Sequence, residues 1–175
     1  MSNDERKDQD DVTSELSSEL VDRRAAREKR RKERAERVAV LEYPILERLK
    51  AQGYVLGEVS DAANKYAPLP DGFVEILLDA LRSYINIQEY KSLNVLEMII
   101  RALGAAAHPF DGRPLIECYD AYNDPTFRFA ICNTIVLARP YSIDEWITSA
   151  LQDPQTGKTL RDLGWQDRNA RRQRK

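Results

Sequence analysis

"GRPLIECYDAYNDPTFRFAICNTIVLAR", residues 112–139, holds two apolar runs separated by Asp124-Pro125, with Arg128 three residues beyond the proline. The runs "RPLIECYDAYNDP" and "PTFRFAICNTIVLAR" each read as a helix. Asp124 is placed to cap the second helix, and Pro125 is preorganised for its first turn while ending the helix before it. From Arg128 the guanidinium can reach the carbonyls of the preceding loop or an acid of a neighbouring unit. Asp124, Pro125 and Arg128 therefore form a structural turn that sets one helix against the next.

The same grammar extends on both sides. "VLEYPILERLKAQGY" places Ile45, Leu46 and Leu49 on one stripe, with Pro44 starting a helix or kinking a longer one and Gly53 where a left-handed residue ends it. "EVSDAANKYAP" reads as a short helix with Ser60 as N-cap, closed by Pro68 and Pro70. "DGFVEILLDALRSYI", with Asp71 as N-cap, has Phe73, Ile76, Leu77 and Leu81 at helical period. In "SLNVLEMIIRALGAAA", Leu93, Leu96, Ile100 and Leu103 share one face, while Asn94, Glu97 and Arg101 share the opposite one. "SIDEWITSALQDP", capped by Ser142, and "TGKTLRDLGW" complete the series. No Asn-Gly or Asp-Gly hairpin separates alternating runs, so the class is all-α.

Helices this short do not bury a face alone, and internal repetition supplies the partner. "DAL" at 79–81 and "DAY" at 120–122 lie 41 residues apart, whereas "IRAL" at 100–103 and "CNTI" at 132–135 lie 32 apart. A further echo, "AYNDPT" with "ALQDPQ", has an offset of 29. Asp124, Pro125 and Arg128, set between two apolar helices, resemble a HEAT repeat, and the span 40–165 looks like small bacterial HEAT-like proteins. The resemblance implies a short α-solenoid of HEAT-like helical hairpins, with a charged N-terminal helix and a polar last helix as its caps. It also implies that second helices line a recognition surface, on which Asn94, Glu97, Arg101 and Asn133 would stand. The HEAT-like folds of some DNA-repair glycosylases and bilin lyases make nucleic-acid binding and catalysis the competing expectations.

Charge divides the chain more sharply than its net of −2 suggests. Residues 1–20 hold seven acids and two bases, and 21–37 hold four acids and nine bases. Residues 38–157 hold sixteen acids and nine bases, and 158–175 two acids and seven bases. We expect a disordered acidic N-terminus at 1–18, a charged exposed helix at 19–43, the repeat domain at 44–165 and a basic disordered tail at 166–175. Arg30, Arg31, Lys32, Arg171, Arg172 and Arg174 are the candidate contacts to phosphate or to an acidic partner. No aromatics alternate with these bases, so such binding would rest on phosphate charge. The acidic body points instead to a basic protein partner.

Catalytic and metal signatures are weak. "QTGKT" at 155–159 has Gln152 where a phosphate loop requires glycine, and no strand precedes it. His108, the single histidine, precedes a proline in a loop, and Cys118 and Cys132 are not spaced as a metal pair. They read as small buried hydrophobes. Glu117, Asp120 and Asp124 line an exposed helix face, with no sign of a cleft to perturb them. We therefore expect no enzyme, no cofactor and no metal. The polar first twenty residues are no signal peptide, and no run nears the roughly 18 apolar residues of a membrane helix. A cytoplasmic protein–protein interaction module, either a scaffold or an immunity-type inhibitor, is the expected function. The alternative is a nucleic-acid-associated protein using the basic arms at 23–37 and 168–175.

Overall fold

The computed structural model describes residues 25–29, 32, 33, 35, 36, 38–87 and 90–165, apart from the side chains of 90–92. It divides into two units, Met1–Arg37 and Val38–Lys175. In the first, every described residue is helical and nearly all are exposed. The segments expected to be disordered, 1–18 and 166–175, lie outside the described residues. The second unit is all-α, with no strand among the described residues.

Helix α1, at 38–51, runs unbroken through Pro44, so the second unit begins at Val38 and not at Pro44. Two residues before that proline explain why. The Leu41 carbonyl accepts a hydrogen bond from the Tyr84 hydroxyl at 2.7 Å. Glu42 is buried and accepts one from the Val59 amide at 2.9 Å. Gly53 takes φ +89° just past α1, and the Tyr54 amide closes back on the Leu49 carbonyl. A 3-10 turn at Val59–Asp61 leads into α2, Ala62–Tyr66.

Six further helices follow: α3 Asp71–Tyr84, α4 Tyr90–Leu103, α5 Arg113–Ala121, α6 Pro125–Ala138, α7 Asp144–Ala150 and α8 Pro154–Asp162. Three expected caps do not form, because the backbone at each is wrong for capping. Ser142 has φ +62°, and Ile143 takes the N-cap place of α7 without a side-chain bond. Ser60 lies inside the 3-10 turn and bonds Glu58. Asp71 sits one residue inside α3, behind Pro70, and meets His108 Nδ1 at 3.0 Å.

Helices α3 and α4 pack as one hairpin and α5 and α6 as another. Each is closed at its open end by a short parallel bridge that the sequence reading did not foresee. The Leu69 amide donates to the Ala105 carbonyl and the Ala107 amide to Leu69, each at 2.8 Å. In the next hairpin, Gly112 donates to Tyr141 and Tyr141 to Phe110, each at 2.9 Å. Across hairpins, α3 touches α5, α4 touches α6, and α6 touches α8. The Thr134 hydroxyl, on buried α6 surface, donates to the Ile100 carbonyl of α4 at 2.7 Å. The Tyr122 hydroxyl joins the end of α5 to the Ile85 carbonyl at 3.0 Å. Helix α1 breaks the pattern by running antiparallel to α3, as the Arg48–Asp79 and Tyr84–Leu41 contacts require.

The core runs through all of these helices. Ile45, Leu49, Phe73, Leu77, Leu81, Leu96, Ile100, Leu103, Leu115 and Ile131 are buried at its centre. Trp165 covers the far end, with the Arg139 guanidinium 4.1 Å above its ring.

Candidate interaction surface

Asp124 and Asp153 start α6 and α8 in the same way. Asp124 Oδ1 accepts from the Phe127 amide at 2.8 Å, and Asp153 Oδ1 from Gln155 and Thr156 at 3.1 and 2.6 Å. These bonds, led by the Thr156 amide, hold the Asp153 carboxyl below the usual range, with help from the Arg128 charge. Each aspartate is followed by a proline at the first helical position. Arg128 reaches the loop carbonyls: its Nε donates to Tyr122 at 3.0 Å and to Tyr119 at 3.3 Å, with the guanidinium 4.6 Å from the Tyr119 ring. Tyr119 in turn meets Thr156 Oγ1 at 2.6 Å and stacks edge-on against Trp146. One turn motif thus ties α5, α6, α7 and α8 together, leaving a groove of about 530 Å³ between the two caps.

Helix α6 differs from its neighbours in being apolar on nearly every side. Phe127, Ala130, Ile131, Cys132, Ile135 and Ala138 are buried, yet Phe129 is 46% and Leu137 61% exposed. Phe129, Asn133 and Leu137 follow one another at four-residue spacing, so they form a single outward stripe. Helix α4, which packs against α6, carries Asn94, Glu97 and Arg101. Arg101 grips Glu97 through Nε and Nη2 at 2.9 and 2.8 Å. Leu137 leans toward α4, its Cδ1 being 3.4 Å from where a Cβ on Gly104 would stand. The residues expected on a recognition surface, Asn94, Glu97, Arg101 and Asn133, therefore occupy two adjacent helices. Asn94, Glu97 and Asn133 are half-buried and Arg101 exposed.

Phe129 and Leu137 were missed, although a signal existed: the run "TFRFAICNTIVLA" has no polar face, which a helix buried on one side alone does not need. Among the arm residues, Lys32 is exposed, while Arg30, Arg31, Arg171, Arg172 and Arg174 lie outside the described residues.

Charge separates between the two sets of helices. The first helices α3, α5 and α7 carry seven acids and two bases, and the second helices α4, α6 and α8 carry five bases and two acids. On the first-helix side Asp71, Glu75, Asp79 and Asp111 border a groove of about 580 Å³. Arg113 chelates Asp111 and keeps its carboxyl below the usual range.

The two cysteines and Gly157 are buried in the packing. Burial pushes the Cys118 thiol up to about 12 and the Cys132 thiol up to about 11, so neither is a ready nucleophile at neutral pH. His108 is exposed beside Asp71. Gly157 of the "QTGKT" run is there for a close approach. A Cβ would fall 2.6 Å from the Leu151 carbonyl oxygen. Among the described residues no cluster of His, Cys, Asp and Glu is suited to a metal, and no helix is long and apolar enough to cross a membrane. Compared with protein-family models, curated proteins and solved structures, the chain gives no match.

Proposed function

We propose that this protein is a non-enzymatic interaction module, a scaffold or inhibitor-type binder whose helical hairpins stack in the manner of HEAT repeats and present their second helices to another protein. The repeated bridges at Leu69–Ala106 and Asp111–Tyr141, and the twin Asp-Pro caps, support a stacked repeat. The observation that carries the functional reading is the stripe Phe129–Asn133–Leu137. Two exposed apolar side chains flanking Asn133, on a helix whose opposite side is already filled, support a contact surface there.

A photo-crosslinking residue at Asn133 in the full-length chain, expressed in its own cells, tests this. It is expected to capture a discrete protein adduct, while the same residue at exposed Asp120 of α5 captures none. Equal capture at both positions, or capture at Asp120 alone, would move the contact surface away from the second helices.

A further inference from the structure

The proposed surface also has a sign. Net charge over residues 38–157 points to a basic partner, but the helices distribute that charge unevenly. Most of the acids in these six helices belong to α3, α5 and α7, while α4, α6 and α8 carry the excess of bases. The two acids of the second helices each pair with one of those bases, Glu97 with Arg101 and Asp162 with Lys158. Asp124 and Asp153 are held in capping. Arg128 donates to the backbone through Nε, lies over the Tyr119 ring and borders the groove beside Phe129, and its two terminal nitrogens make no hydrogen bond among the described residues. The second helices thus carry three more bases than acids, and Arg128 and Asp153 both border the groove beside Phe129.

Resting on the interaction reading above, we infer that the α4–α6–α8 face takes an acidic amphipathic segment of another protein. Its apolar side chains would seat on Phe129 and Leu137, and its carboxylates would meet Arg101 and Arg128. Arginine suits this role, since its planar fork matches a carboxylate with two parallel bonds. A nucleic acid fits less well: apolar side chains occupy the centre of the face, and the bases are too few and scattered for a run of phosphates. Complementary charge would set the speed and selectivity of docking, and the apolar stripe most of its strength.

Selection of a random linear peptide library on the full-length protein tests the inference, followed by anisotropy titration of the recovered peptides. The recovered sequences are expected to be net acidic, with apolar residues three or four apart. Phe129→Asp and Leu137→Glu should each weaken binding about tenfold or more, and Arg101→Glu several-fold. Asp120→Lys on α5 should leave it unchanged, and unaltered circular dichroism would show that each variant folds. Basic recovered peptides, or binding indifferent to Phe129→Asp and Leu137→Glu, would overturn the acidic-partner inference while leaving an interaction module in place. Recovery of no peptide would overturn both. A duplex oligonucleotide that binds wild type and loses binding on Arg101→Glu would reassign the face to a polyanion and likewise overturn the inference.

Discussion

The first and second helices of this protein alternate along the chain and yet differ in charge and exposure. The first helices are acidic, and tyrosines at their ends join them: Tyr84 to α1, Tyr122 to the end of α3, and Tyr119 to Trp146 of α7. The second helices are basic, they meet through the buried Thr134 hydroxyl, and they leave Phe129 and Leu137 in solvent. On the proposed reading, stability and recognition would fall to different sets of helices. A residue change on either side should report which task that side performs.

The largest expected effect lies where α7 turns into α8. Gly157→Ala would drive a Cβ into the Leu151 and Ala150 carbonyl oxygens, 2.6 and 3.1 Å away, both of them backbone atoms that have little room to yield. Overpacking of this kind costs about 1–3 kcal/mol, and thermal melting should show a fall of several degrees. An unchanged midpoint would mean that α8 does not press on the end of α7.

Next come the contacts that hold the second helices together. Thr134→Val removes the hydroxyl donated to Ile100 and should cost about 1 kcal/mol in urea unfolding. Asp124→Ala removes the α6 cap and should cost a similar amount, about 1 kcal/mol, with Asp124→Asn retaining most of it. If Asp124→Ala were silent, the Asp-Pro turn would not be what starts α6.

The face itself should behave in the opposite way. Phe129→Asp and Leu137→Glu are expected to cost no more than about 1 kcal/mol of unfolding free energy, because about half of each side chain is exposed. A loss several times larger would place them in the core and erase the contrast between the two sides.

The smallest expected effect concerns Glu42, the one buried acid among the described residues. Burial lifts the Glu42 carboxyl above its ordinary range, so the folded state favours its neutral form. The stability linked to this group is full below the unfolded carboxyl value of about 4.3 and is lost as pH rises through the higher folded value. Glu42→Gln keeps an acceptor for the Val59 amide and carries no charge. It should melt slightly above wild type at about pH 7, with the gap closing near pH 4. A variant melting below wild type at neutral pH would show that the charge itself is needed there.

Much of this arrangement was legible in residue spacing. The helix positions, the Asp124–Pro125–Arg128 turn, the left-handed Gly53 and the inert cysteines all follow from local chemistry, and each is found in place. Caps at Ser60, Asp71 and Ser142 did not form, because capping depends on a backbone angle that composition does not specify. The paired bridges at Leu69 and Asp111 have no residue signature, since they use backbone atoms alone. The antiparallel setting of α1 follows from long-range contacts such as Arg48–Asp79, which no local pattern encodes. The charge difference between sides was present in the sequence but emerges only once the helices are sorted into first and second.

The side-by-side placement of α4 and α6 underlies every part of this account, and nuclear Overhauser spectroscopy on methyl-labelled full-length protein tests it most directly. Cross-peaks from a Leu137 methyl to the Gly104 α protons, and from Thr134 to Ile100, are predicted, with the Phe129 ring showing no contact to the core of α4. Absence of both cross-peaks, or a Leu137 methyl buried against the first helices, would contradict it.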